Sequence, residues 1–376
     1  MERSLVHIEK VEEILPIKGA DFIDQIRVLG WSLVAKKGEF QVGDLCVFFE
    51  IDSLLPEKPE FEFMRAKKFR VKTQKFRGVL SQGLALPLDI LPKGKYKIEQ
   101  DVADMVGVKK YEAPIFSGGG SFMRGDTKGN FPSFVPKTDE IRIQSKPRIL
   151  EEFKGKECYV STKCDGTSAT YAVFKKEPFV CSRNFAIKNP KDYKLTRINK
   201  IANSLFKKFS THRIIGKFLK KFTNFSVETK SVYWAMEEKY CILSKISEFN
   251  DLNNTNYAIQ GEICGPGIQK NKLGLSEVDL FVFNIYDIDA KKYVDFEHFK
   301  YLCGVMNVKT VPIVDEHFVF NHSEDELLKL AKGKYEDTKQ DREGIVIRPV
   351  VEAYSEALKG RLSVKVINND FLLKEE

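Results

Sequence analysis

The sequence predicts an α+β protein with a small N-terminal β-barrel and a larger domain of sheets and helices. Three observations predict it. Short strand-like runs punctuated by Gly and Pro fill residues 5–110, the pattern of a small barrel. Ser117-Gly118-Gly119-Gly120-Ser121, with Gly and Pro frequent as far as Pro136, marks a linker over residues 116–136. Beyond it, strand-like segments and helical patterns are interspersed to residue 376. Domains are therefore expected at residues 1–115 and 137–376, and 376 residues suit two or three domains of ~150.

In the barrel, residues 22–34 hold the run Ile26-Arg27-Val28-Leu29-Gly30-Trp31-Ser32-Leu33-Val34. Val42-Gly43-Asp44 turns into the apolar strand Leu45-Cys46-Val47-Phe48-Phe49-Glu50-Ile51, residues 79–88 give another short strand, and residues 102–111 fit a short helix. Residues 65–77 carry seven basic side chains and no acidic one. If residues 68–72 form a strand, Lys68, Arg70 and Lys72 share one face and Phe69 and Val71 the other. Such a strip can track the phosphates of single-stranded RNA. The plain alternative is an edge strand whose lysines discourage aggregation.

In the larger domain, strands are expected at residues 158–162, 168–174, 257–264, 281–288, 344–348 and 363–367, and helices at 195–222 and 324–332. Residues 186–230 read as a basic helical insertion, with twelve basic and two acidic residues. Within it, Ile214, Ile215, Phe218, Leu219 and Phe222 fall at helical spacing, with Lys217, Lys220 and Lys221 mostly off that stripe. A packed helix with a wet basic face, RNA contact and anionic-membrane contact all remain open for it. The mild overall excess, +8 from 61 Lys and Arg against 53 Asp and Glu, thus sits in two segments on an otherwise acidic chain.

Other classes are excluded. No stretch of ~20 apolar residues occurs, so no transmembrane helix is expected. The start, Met1-Glu2-Arg3-Ser4-Leu5-Val6-His7, lacks a basic region followed by an apolar run, so secretion is not expected. The seven cysteines are scattered and form no C-x-x-C pair. That argues against a zinc site or disulfide framework and for a reducing compartment, cytoplasm or nucleus. The five histidines are dispersed and belong to none of the motifs below.

The sharpest motif is Ser161-Thr162-Lys163-Cys164-Asp165-Gly166. A lysine can attack the α-phosphate of a nucleotide and retain it as a phosphoamide. It must first lose its proton against a reference pKa of ~10.4, aided by a neighbouring cation or by desolvation. Glycine after the acid lets the backbone approach a ligand. The plain alternative is a surface turn with a solvated lysine. What strengthens the motif is the ordered set after it: Cys181-Ser182-Arg183-Asn184, Gln260-Gly261-Glu262-Ile263-Cys264-Gly265, Phe281-Val282-Phe283-Asn284, Asp341-Arg342-Glu343-Gly344-Ile345-Val346-Ile347-Arg348 and Ser363-Val364-Lys365-Val366-Ile367-Asn368.

This ordered set resembles the covalent nucleotidyltransferase superfamily of ATP-dependent ligases and capping enzymes. Within it, the chain is most similar to ATP-dependent RNA ligases with an OB-like domain before the catalytic domain. The likeness includes Pro136-Lys137-Thr138-Asp139-Glu140, the extension Gly265-Pro266-Gly267-Ile268-Gln269, and the ending Asn368-Asn369-Asp370-Phe371-Leu372-Leu373-Lys374. It implies an OB-like barrel followed by a nucleotidyltransferase domain of antiparallel sheets and helices. It also implies that Lys163 is the adenylated nucleophile. Thr162, Asp165 and Gly166 would shape the nucleotide pocket, Arg183 would contact the ribose or RNA end, and Glu262 would hold a ribose hydroxyl. Phe283 would stack on adenine, Glu343 would hold water on Mg2+ or Mn2+, and Lys365 would neutralise charge on the α-phosphate. ATP would be the AMP donor, and RNA with 3′-hydroxyl and 5′-phosphate ends the partner of a monomeric enzyme.

Two features depart from the pattern. Many relatives carry two lysines at i and i+2 in the final strand, but Ser363 holds the first position here, with Lys359 and Arg361 as candidate substitutes. The stretch 186–230 is long for the family. Eleven residues follow Lys365, so the N-terminal barrel is expected to supply the auxiliary RNA surface. A DNA ligase, a capping guanylyltransferase and an inactive RNA-binding relative are the alternatives.

Overall fold

The computed structural model describes residues 4–111, 127–189 and 231–375. The chain separates into two compact units. One comprises Met1–Ile115, Asp139–Cys164 and Pro312–Glu376; the other comprises Phe116–Thr138 and Asp165–Val311.

The first unit contains the barrel. Its five-stranded antiparallel sheet runs in the order Trp31–Lys36, Ile23–Val28, Val6–Pro16, Leu45–Phe49, Leu84–Leu86. The long strand Val6–Pro16 pairs through its first half with Leu45–Phe49 and through its second half with Ile23–Val28. A bulge between Val11 and Glu13 lies in the second half, and bulges bend a strand so that a sheet can curl. Leu45–Phe49 is an unbroken apolar run because both its faces are covered. Val47 and Phe49 join one apolar cluster with Val6, Ile8 and Phe61, while Phe48 joins another with Trp31 and Leu33.

Several local expectations are refined. The run over 22–34 divides into two strands at Leu29, whose φ is 53°. Residues 79–88 divide into Val79–Gln82 and Leu84–Leu86. The helix within 102–111 spans only Ala103–Val106, and Lys109–Lys110 pairs with Ser53–Leu54 instead. The strand considered at 68–72 does not form. Pro59–Lys67 is 3-10 helical, and Lys68 and Phe69 follow with φ of 53° and 56°, so the chain turns where a strand would extend. The next strand starts at Thr73. Phe69 and Val71 are buried, as the alternation implied.

The same unit holds a second five-stranded sheet, ordered Ile141–Arg142, Val364–Ile367, Gly344–Pro349, Glu157–Lys163, Ile313–Val319. Its pairings are antiparallel except Ile141–Arg142 with Val364–Ile367. One face packs Val160, Ile345, Ile347, Val364 and Val366 with Ile149 and Phe153 of the helix Ile149–Phe153 and Leu327 of the helix Glu324–Ala331. The latter begins with a capping box between Ser323 and Glu326, which satisfies helix donors at both residues. The barrel is fastened to this sheet. Gly30 N donates to Gln144 O at 3.0 Å, Gln82 Nε2 donates to Asn369 Oδ1 at 3.2 Å, and Leu372 packs on the barrel's Trp31 cluster.

The second unit is built on an antiparallel sheet ordered Thr127–Asn130, Phe185–Ile187, Glu177–Cys181, Thr167–Phe174, Tyr257–Cys264, Asp279–Asp287, Lys292–Tyr293. Lys309–Thr310 adds in parallel to Asp279–Asp287. Helices Val232–Tyr240, Ile242–Asn253 and Phe296–Val305 accompany it. The helix expected at 195–222, with its basic stripe, lies outside the described residues. No helix among the described residues is long and apolar enough to cross a membrane.

Candidate active site

Lys163 is the last residue of the strand Glu157–Lys163 and pairs with Gly344 on the neighbouring strand. Its Nζ donates to Glu343 Oε2 at 2.7 Å, and the two side chains are 26% and 18% exposed. Gly344 is required where it stands. Its φ is +155°, and a Cβ there would lie 2.2 Å from Val366 O. Directly opposed residues in a ladder project to the same face. Lys163 opposes Gly344, and Val346 opposes Lys365, so Lys163 and Lys365 share the sheet face opposite the apolar cluster. Thr162 opposes Ile345 and is buried on the other face with that cluster. The sheet therefore brings Lys163, Glu343 and Lys365 to one side and turns the Thr162 side chain away.

The Ser363 position lies on the same face as Lys163 and is filled by a buried network. Arg348 Nε donates to Ser363 Oγ at 3.1 Å and Arg348 Nη2 to Glu140 Oε1 at 2.8 Å. Burial pushes the Glu140 carboxyl up, but Arg348 and Arg361 outweigh it and hold it below the usual range. The candidate substitutes are engaged nearby. Lys359 Nζ donates to Glu356 at 2.7 Å and Arg361 Nε to Glu352 at 2.8 Å.

In the second unit, Asp165 Oδ2 lies 2.8 Å from Lys272 Nζ, with both side chains largely covered. Lys272 follows three left-handed residues, Gln269, Lys270 and Asn271. Gly166 sits against the strand Tyr257–Cys264, where a Cβ would meet Ile263 O at 2.3 Å. In that sheet Ser168, Glu262 and Phe281 are directly opposed and share a face. A register shift at Gln260/Gly261 leaves Phe283 as the extra residue of its strand, and alternation from Phe281 puts it on the Glu262 side. The segment from Pro136 crosses this face. Gln260 Nε2 donates to Pro136 O at 2.7 Å, and Thr138 Oγ1 lies 2.8 Å from Ser168 Oγ. Arg183 is exposed in the turn between Glu177–Cys181 and Phe185–Ile187. A cavity of about 420 Å3 lined by Trp234, Glu237 and Ser247 contains none of these motif residues.

On the barrel, Lys68 is exposed and Lys72 half-buried. Arg70 is held by Asp52 at 3.1 Å and lies 3.8 Å over the Tyr111 ring. The three do not form one strand face. Sequence reasoning quoted Thr138 in the Pro136–Glu140 segment without giving it a role, and missed Lys272 and Tyr335, whose hydroxyl donates to Lys163 O at 3.1 Å. Among the described residues no group of three His, Cys, Asp or Glu side chains is placed to hold a metal.

The OB-fold domain family matches residues 5–88, and the RNA ligase family matches residues 213–367. An RNA ligase of Naegleria gruberi solved with PPi is 32% identical, with 99% of this chain and 98% of that one covered and a TM-score of 0.79. A mutant of that ligase with AMP and Mn is 30% identical over 100% and 99% of the two chains, with a TM-score of 0.80. Another mutant, with ATP and Mn, is 30% identical over 99% of both, with a TM-score of 0.79. No curated protein sequence matches.

Proposed function

This chain belongs to the RNA ligase family, and from that membership we propose an ATP-dependent ligase that joins RNA 3′-hydroxyl and 5′-phosphate ends through lysyl-AMP and RNA-adenylate. The observation that carries the reading is the 2.7 Å bond between Lys163 Nζ and Glu343 Oε2. It unites a motif lysine and a motif carboxylate 180 residues apart in the chain.

In the first step the free amine of Lys163 forms an N–P bond to the α-phosphorus of ATP. The bond from that phosphorus to the bridging oxygen breaks, and its electron pair leaves with pyrophosphate. The nitrogen sheds one proton before attack and one after it, and the Glu343 carboxylate is within reach to pass them to solvent. In the second step a 5′-phosphate oxygen of RNA attacks the same phosphorus, and the N–P bond breaks with return of a proton to Lys163. In the third, the RNA 3′-hydroxyl attacks the activated 5′-phosphorus, loses its proton, and AMP departs.

The remaining roles follow the motifs. Lys365 offsets charge on the α-phosphate. Asp165 and Gly166 shape the nucleotide pocket, while the Thr162 side chain, buried on the other face, is left without a part in it. Glu262 holds a ribose hydroxyl, Phe283 stacks on adenine, and Arg183 contacts the ribose or RNA end. Mg2+ or Mn2+ suits the donor set. The lone carboxylate of Glu343 fits a hard cation that draws most of its ligands from phosphate and water. When bound, the cation supplies charge neutralisation at the α-phosphate. The barrel, residues 1–115, holds RNA chiefly through Lys68 and Lys72, because Arg70 already has Asp52 and Tyr111 as partners. Residues 137–376 form the adenylating domain of a monomer. Seven free cysteines, all but Cys241 buried, agree with a reducing compartment.

A chase experiment tests the reaction. Protein labelled by α-labelled ATP and freed of nucleotide should pass its label to 5′-phosphorylated RNA and release labelled AMP as the RNA is sealed. Transfer to DNA ends alone, or labelling by GTP in place of ATP, would replace this reading with a DNA ligase or a capping enzyme. RNA binding without any adenylate would identify an inactive relative.

A further inference from the structure

Glu343 is preceded by a polar loop with one aromatic residue, Gly333-Lys334-Tyr335-Glu336-Asp337-Thr338-Lys339-Gln340-Asp341-Arg342. The loop is closed at its base. Arg342 N donates to Gly333 O at 3.0 Å, Tyr335 N donates to Gln340 O at 3.0 Å, and Lys334 bridges Asp341. The Arg342 guanidinium donates to the carbonyls of Leu330, Ala331 and Lys332, which anchors the loop to the end of the helix Glu324–Ala331. Thr338 Oγ1 donates to Tyr335 O at 3.0 Å and fixes the turn that presents the ring. The Tyr335 side chain is turned inward, and the residue is 5% exposed.

Its hydroxyl donates to Lys163 O at 3.1 Å and accepts from Glu343 N at 3.1 Å. The ladder between the two strands ends at the pair Lys163 and Gly344. The phenol therefore stands where the ladder stops and ties together the two main-chain positions that carry the amine and the carboxylate. A phenol has one proton to donate and lone pairs to accept with, so both bonds form at once. A phenylalanine would fill the same space and make neither.

We propose that Tyr335 is a positioning residue for lysine adenylation, holding the Lys163 and Glu343 backbones at the separation that sets their side-chain contact. The proposal rests on the reading of Lys163 as the nucleophile. Its effect belongs to the step in which Lys163 forms the N–P bond to the α-phosphorus and pyrophosphate leaves. Sealing of RNA that already carries a 5′-adenylate does not use Lys163 as a nucleophile.

The test compares Tyr335→Phe with the wild type in three measurements: lysyl-adenylate formation at saturating ATP, the KM for ATP in that step, and sealing of pre-adenylated RNA. A misplacement near 1 Å at a reacting group costs on the order of 10²-fold. The expected result is a loss of about 10- to 100-fold in adenylation, an unchanged KM, and pre-adenylated sealing within about 3-fold of wild type. Adenylation at the wild-type rate would overturn the proposal. So would equal loss of both steps, which marks general unfolding, or a raised KM at an unchanged maximal rate, which marks weakened ATP binding. If the wild type itself forms no lysyl-adenylate, the functional reading fails first, and that outcome is distinct from a Tyr335→Phe variant that merely matches it.

Discussion

Gly166→Ala isolates one contact in the second unit. The Gly166 backbone is outside the left-handed region, so alanine can adopt its conformation and the whole cost is spatial. The new methyl would lie 2.3 Å from Ile263 O, 2.7 Å from Cys264 Sγ and 2.9 Å from Glu262 Cγ. Ordinary contact begins at 3.4 Å, so the strand Tyr257–Cys264 must retreat by about 1 Å at Ile263. That strand is paired along its length with Asp279–Asp287 on its other side, and it cannot yield without carrying Glu262 with it. Overpacking of this kind costs about 1–3 kcal/mol. If Glu262 holds the ribose as proposed, moving its carboxylate by about 1 Å reduces the rate by roughly 10²-fold. Urea unfolding should show the stability loss, and rapid-quench measurement of lysyl-adenylate should show the rate loss. A variant with both the wild-type midpoint and the wild-type rate would refute the reasoning, because the strand would then be free to move and the position of Glu262 would be immaterial.

Lys68→Ala with Lys72→Ala should weaken RNA sealing and leave self-adenylation unchanged. The salt dependence of RNA binding should become shallower by about 0.7 for each phosphate that is no longer neutralised. Parallel loss of both activities would contradict a barrel that serves RNA alone. Glu324, 2.1 Å from a Cβ built at Gly30, is raised to about 7 by burial, with Arg27 opposing and Asp325 and Glu12 adding to the shift. Its folded form binds the extra proton, so stability should fall as pH rises from about 4.5 to about 7 and stay lower above that. Glu324→Gln should flatten that slope in thermal unfolding at a series of pH values; an unchanged slope would exclude Glu324 as its source.

The strands that carry the motifs were legible because each is built on a short apolar or β-branched run. Lys163 closes Glu157–Lys163, and Tyr257–Cys264 has the bounds its sequence implies. The helices at 232–253 were not legible. Val232, Tyr233 and Met236 are the only buried residues of the first, which leaves no long apolar stripe, and Cys241 breaks the pair with a left-handed φ of 52°. The basic segment 65–77 shows the opposite failure. Burial of Phe69 and Val71 follows the alternation, yet the left-handed backbone at Lys68 and Phe69 carries no glycine to announce it. Lys272 and Tyr335 reach Asp165 and Lys163 from irregular loops far along the chain. Such contacts have no periodicity, and only the folded chain reveals them.

The face shared by Lys163 and Lys365 also shows what engages Ser363. Ser363 is bonded to Arg348, a buried guanidinium from the adjacent strand that is fixed by Glu140. Removing one partner of such a pair costs about 3–5 kcal/mol because it strands the other buried charge, so loss of Arg348 or of Glu140 alone should destabilise the sheet that carries Lys163.

The most direct measurement of the central claim is covalent labelling by α-labelled ATP in the presence of Mg2+ or Mn2+, followed by peptide mapping. Label on Lys163 in the wild type, and none on the folded Lys163→Ala variant, is the predicted result. Label that persists in Lys163→Ala, or its absence from the wild type, would contradict the account.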